Sequence, residues 1–215
     1  MKKNAVLALV FTLLFCGCKE NHDNETVNIP SKLIATDNNP ITSPVNTKNL
    51  DKYMFRDDVQ YVDLRSPKMI MNEGYVAGFQ FIPYYSIIAA FSSDVTLYRM
   101  ENKYSESGEY VQAGRVGGFT AQYEESKSII ESLFSKKKYI FLISQGGTES
   151  GYVINLLIQL GYNPDLLYNI GGVMNSEGVP PYSSIESNKY FVEGHGDMGI
   201  TFKYDFMNDL TPISN

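Results

Sequence analysis

Few side chains in this chain of 215 residues can do covalent or metal chemistry, and their spacing narrows what that chemistry can be. The two cysteines, Cys16 and Cys18, stand near the amino terminus, and the two histidines, His22 and His195, lie at opposite ends of the chain. A thiolate attacks sulfur or phosphorus by itself, whereas a serine hydroxyl needs an adjacent base. Ser144 opens a polar loop, Ser144-Gln145-Gly146-Gly147-Thr148-Glu149-Ser150, directly after an apolar run. Two glycines entering a helix can turn backbone N–H groups into a concave anion nest. Glu149 opposes that use: one unit charge at about 4 Å in an effective dielectric near 20 is of order 4 kcal/mol, so weak anion binding is the expectation. Asp63, Arg65 and Glu73 are read as a structural ion-pair and capping network rather than catalytic groups. Glu193-Gly194-His195-Gly196-Asp197 has one histidine between two carboxylates and reads as a turn, so no metal site is expected. Ala113 to Gly118 (AGRVGG) lacks the spacing of a phosphate-binding loop. No cofactor is implied.

Positioning these residues falls to a chain whose periodicity alternates strands with helices. Asn46 to Asp57 places Leu50, Tyr53 and Met54 on one helical face. Val59 to Arg65 is a β-branched and aromatic run that ends at Pro67, as for a buried strand and the loop beyond it. Phe79 to Ile82 reads as a second short strand, and Tyr84 to Phe91 as one or two helical turns with Ile87, Ile88 and Phe91 inward. Residues 94–119 have no sustained period and form a long excursion, with a hairpin expected around Ser107-Gly108. Ala121 to Lys138 is read as a helix ending in Lys136-Lys137-Lys138, which suit the negative end of its dipole.

Tyr139 to Ile143 is suited to a central parallel strand. Val153, Ile154, Leu156, Leu157 and Leu160 then mark a buried helix stopped at Gly161. Leu166 to Ile170 is read as another strand, broken by Gly171-Gly172, and Asn188 to Asn215 as strands or an extended tail packing on the domain. Strands alternating with helices predict a parallel sheet covered on both faces, with ligands bound outside the carboxyl ends of its strands.

Composition fits one packed domain: 43% of residues are hydrophobic and 20% charged, with 18 Lys and Arg against 24 Asp and Glu. A net charge of −6 with no basic face excludes nucleic acid as the expected partner. Residues 1–17 read as a secretory leader, with Lys2 and Lys3 ahead of an apolar run of 11 residues from Ala5 to Phe15. That is short of the about 20 residues needed to cross a bilayer. Leu13 to Cys18 (LLFCGC) resembles a bacterial lipoprotein cleavage site, with Cys18 after Gly17 as the residue to be acylated. The resemblance implies a membrane-lipid anchor on the extracytoplasmic side of a bacterial envelope. Residues 18–45, rich in Asn, Asp, Thr and Pro, are read as a flexible tether in which His22 is solvated, with Val27 to Ile34 as an edge strand the alternative.

Four segments, in order, resemble the rhodanese-like family: Val62 to Pro67 (VDLRSP), Glu73 to Pro83 (EGYVAGFQFIP), Ile140 to Tyr162 (IFLISQGGTESGYVINLLIQLGY) and Leu166 to Tyr182 (LLYNIGGVMNSEGVPPY). Glu73, Gly78, Ile82 and Pro83 fall in register with the family's second segment. The resemblance implies a three-layer α/β domain over residues 46–182, with a mainly parallel five-stranded sheet, helices on both faces and a long insertion at about 92–120. A tail over residues 183–215 would follow. Active members carry a cysteine at the first position of the loop after the central strand, where it holds persulfide sulfur in a bowl of backbone amides. Here Ser144 stands at that position, Glu149 where an arginine is usual, Tyr75 for a histidine and Phe79 for a small residue.

The expectation is therefore a membrane-anchored, rhodanese-like lipoprotein without sulfurtransferase activity, with no catalytic residue in the Ser144–Ser150 loop, serving as a binding or scaffolding module for an envelope protein. The rival is an enzyme of the same class, either a sulfurtransferase or a hydrolase using Ser144 with a base from the excursion or the tail.

Overall fold

The computed structural model describes residues 27–91, 95–101, 103–104, 107–108, 110–111, 118–174, 178–196, 199 and 202–213. The leader, Cys16, Cys18, His22, residues 113–117 of the glycine-rich stretch and Asp197 lie outside the described residues.

The fold is mixed α/β, built on a four-stranded parallel sheet. Its strands are β1 (Val59–Asp63), β3 (Gln80–Phe81), β9 (Tyr139–Ser144) and β10 (Leu167–Gly172), in the order β10-β9-β1-β3. β1 pairs with β9 over Val59–Tyr139 to Asp63–Ile143, which leaves the carboxyl ends of the two central strands side by side. Alternation sorts their side chains. Val62, Leu64, Ile140 and Leu142 enter one apolar cluster, and Val59, Tyr61, Phe141 and Ile143 the other.

The first face is covered by helices α2 (Ser126–Leu133) and α3 (Thr148–Gln159), through Ile130, Val153, Ile154, Leu156 and Leu157. On the second face a 3₁₀ turn, Leu50–Tyr53, packs with Val45, Phe79 and Tyr182. Asn46 to Asp57 was expected to supply a longer helix there. Asn49 Oδ1 accepts the Asn46 N–H (2.9 Å) and Asn46 Oδ1 the Lys48 N–H (3.0 Å), as at a helix start, but the turns that follow are closed by the tighter bonds Asn49 N–H to Asn46 O and Lys52 N–H to Asn49 O (both 3.1 Å), and the chain leaves extended at Met54. The fifth strand expected of the sheet is also not formed among the described residues. Thr47 N–H donates to Ile170 O on edge strand β10 (3.1 Å), without a ladder forming there.

Other boundaries moved for local reasons. Pro67–Glu73 is helix α1, not a loop: the Ser66 hydroxyl accepts from Met69 N–H at 3.3 Å and Pro67 occupies the first turn, where its missing donor does no harm. Gly171-Gly172 continues β10 through a bulge instead of breaking it. The helix expected over Ala121 to Lys138 occupies only Ser126–Leu133, because Ala121 belongs to a strand. After the π-helical turn Tyr84–Ile88 the chain enters β4 (Ala89–Ala90), which leaves Phe91 exposed rather than inward.

The excursion holds short strands: β5 (Tyr98–Met100) lies between β4 and β8 (Phe119–Ala121), while β6 (Lys103–Tyr104) and β7 (Tyr110–Val111) form a hairpin around Ser107-Gly108. Two or three residues are too few to display a period. The tail adds β11 (Phe191–Val192), antiparallel to β2 (Tyr75–Val76), and then packs Tyr204, Phe206, Met207 and Leu210 on the first cluster.

The free-tether reading of residues 18–45 is corrected from Val27 onward. Ser43, Val45 and Thr47 are buried. Tyr168 Oη donates to Pro30 O (2.9 Å), Arg56 Nη1 to Val27 O (2.6 Å) and Asn169 Nδ2 to Asn38 O (2.7 Å). A polar, proline-bearing segment is held here by hydrogen bonds to the domain, together with Val45 in the second cluster and Ile29 packed against it.

Candidate functional site: the bend from β9 into α3

Ile143 and Ser144 end β9, and Gly147 caps α3 with φ +89, a conformation that glycine adopts without the clash a Cβ brings. The seven-residue loop therefore makes the strand-to-helix bend that its sequence predicts. Ser144 is 1% exposed, and its Oγ accepts the N–H of Gly147 at 2.9 Å. That is the only hydrogen bond to this hydroxyl among the described residues. His195, in the tail, is exposed and tied through its backbone N–H to Met71 O (3.0 Å).

The segment over Asn38 to Pro40 lies against this bend. Asn38 Nδ2 donates to Gly151 O (3.3 Å) and to Asn155 Oδ1 (2.8 Å). Asn169, 2% exposed, donates from Nδ2 to both Asn38 O and Gly147 O (2.8 Å), and its Oδ1 accepts from Gly171 N–H (3.0 Å). A Cβ on Gly147 would stand 3.0 Å from Pro40 Cγ and 3.3 Å from Asn169 Oδ1. Asn38, Pro40 and Asn169 are site residues that sequence reasoning missed. Nothing linear joins Asn38 to a loop more than a hundred residues later, and Asn169 is hidden in a strand pattern.

Asp63, Arg65 and Glu73 come together as expected. Arg65 Nε lies 3.1 Å and Nη2 2.8 Å from the two oxygens of Asp63, Nη2 also donates to Gly74 O (2.7 Å), and Nη1 reaches Glu73 Oε2 (3.4 Å). The Asp63 and Arg65 side chains are 0% and 1% exposed, so the pair closes on itself and on the carboxyl end of α1. Glu73 Oε1 in turn accepts from Gln145 Nε2 (3.5 Å), which joins this network to the loop.

Glu149, in the first turn of α3, accepts from Tyr85 Oη at 3.4 Å. Tyr85 is more than half exposed, and its phenol is pushed up to about 12 by partial burial and, next, by the Glu149 carboxylate. No lysine or arginine pairs with Glu149 among the described residues. Gln145 Oε1, Glu149 Oε2 and Ser150 Oγ are buried without a hydrogen-bond partner among the described residues. No group of three or more His, Cys, Asp or Glu suited to a metal ion occurs among the described residues. The bend thus presents acceptor oxygens and a carboxylate, with its one strand-end hydroxyl turned inward. Comparison of the chain with protein-family models, with curated proteins and with solved structures found no match.

Proposed function

We propose that this chain is a lipid-anchored, rhodanese-like module of a bacterial envelope that binds a partner and does not transfer sulfur. The observation that carries the reading is Ser144: at the mouth of the central strand it is buried, engaged by Gly147 N–H and, among the described residues, hydrogen-bonded to no side-chain base. A hydroxyl so placed has neither the thiolate character nor the activation that nucleophilic attack needs. The parallel order of β9, β1 and β3, the bend at Ser144–Ser150 and the edge contact of Thr47 with β10 support the family reading, although four strands form rather than five. The anchor rests on Leu13 to Cys18 and on the leader before it. No helix among the described residues is long and apolar enough to cross a membrane.

Incubation of the full-length protein with thiosulfate and cyanide is expected to yield no thiocyanate above background. Thiocyanate that disappears in Ser144→Ala would overturn the reading. Radiolabelled palmitate is expected to enter the wild type and not Cys18→Ala; label that persists in the variant removes the anchor.

A further inference from the structure

Four buried side-chain oxygens among the described residues have no hydrogen-bond partner, and three of them, Gln145 Oε1, Glu149 Oε2 and Ser150 Oγ, fall in one stretch of six residues at the β9–α3 bend. Buried polar atoms in folded proteins almost always find partners, so such a concentration calls for a cause. Two of the three can only accept, and the third is a hydroxyl that accepts as readily as it donates. What these side chains lack is donors.

The charge has the same sign. Glu149 has no cationic partner among the described residues. Glu73 is already occupied by Arg65 and by the amide of Gln145. Arg65 spends four of its five N–H donors on Asp63, Gly74 and Glu73, so the buried guanidinium beside the loop is largely committed. Tyr85 sets a largely exposed aromatic ring beside the Glu149 carboxylate, and its hydroxyl reaches only the other oxygen, Oε1, at a long 3.4 Å. A carboxylate with an aromatic ring alongside recognises groups that are cationic and donate hydrogen bonds, through charge-assisted bonds and ring-face attraction.

We infer that the Gln145–Glu149 edge of the bend, with Tyr85 as its rim, binds a primary ammonium or guanidinium group. The inference rests on the binding-module reading and gives its ligand a chemical class. Anions are the wrong sign for this edge.

Isothermal titration of the detergent-solubilised full-length protein tests it, with agmatine as a small amine and an end-capped pentapeptide bearing one arginine as a polypeptide source. Saturable binding of either probe, weakened about tenfold in Glu149→Gln, roughly 1.4 kcal/mol, is the expected result. A response to the peptide alone points to a partner's side chain, and a response to agmatine alone to a free amine. Glu149→Gln melting at the wild-type temperature shows that the loss is local. No saturation by either probe at millimolar concentration, equal binding in Glu149→Gln, or tighter binding of thiosulfate than of both amines overturns the inference. Sulfur transfer from thiosulfate to cyanide would instead remove the binding-module reading and leave the amine result to stand by itself.

Discussion

The carboxyl ends of β1 and β9 lie side by side, joined by a bond from Leu64 N–H to Ile143 O (2.9 Å), yet their polar groups are treated in opposite ways. At the end of β1 every charge is matched: Asp63 is held by Arg65, and Arg65 by Asp63, Glu73 and Gly74 O. At the end of β9 the hydroxyl of Ser144 is matched, but the next six residues leave three oxygens without donors. The first end reads as scaffold, and the second is where the proposed ligand binds. The difference locates where a ligand can add something the fold does not supply.

The largest test of that contrast removes the matched side. Arg65→Met strands the Asp63 carboxylate in the interior, and a stability loss of about 3–5 kcal/mol in urea denaturation is expected, with Asp63→Leu on the same chain recovering much of it. A loss under about 1 kcal/mol would mean that the β1 end is not a closed scaffold. Next comes Asn169→Ala, which takes the donor from Asn38 O and Gly147 O and the acceptor from Gly171 N–H. About 1–3 kcal/mol is expected to be lost. Faster proteolysis within residues 27–45 should accompany it, because Asn169 is one of the few groups tying that segment to the bend. Unchanged proteolysis would show that the segment is held mainly elsewhere, at Tyr168 and Arg56.

How much of this was legible in the sequence follows from the range of the interactions involved. The bend itself was readable, because an apolar run into Ser-Gln-Gly-Gly and then a helical stripe to Gly161 is local information. The Asp63–Arg65 pair was readable for the same reason, with one residue between the partners. Ser66-Pro67 carried an overlooked helix start, a cap followed by a proline in the first turn. The packing of Val27 to Val45 was not readable: its composition is that of a linker, and its hydrogen bonds go to Asn169, Gly151 and Tyr168, whose nearness depends on the whole sheet. The unmatched oxygens were hidden as well. Glu149 reads as a charge in a first helical turn, and only the fold brings Tyr85 to it and leaves Oε2 without a donor.

The finest test compares two serines at the ends of the same loop. Ser144→Ala takes away the acceptor of Gly147 N–H and leaves that donor buried, so about 1–2 kcal/mol of stability is expected to go. Ser150 is 0% exposed and its hydroxyl has no partner among the described residues, so Ser150→Ala deletes a desolvated polar atom without breaking a bond seen there. A change within about 0.5 kcal/mol of wild type, in either direction, is therefore expected from urea denaturation of the two variants side by side. If Ser150→Ala instead loses as much as Ser144→Ala, the hydroxyl has a partner in solution, a buried water being the plainest. One of the three unmatched oxygens would then be accounted for, and the contrast between the two strand ends would rest on Gln145 and Glu149 alone.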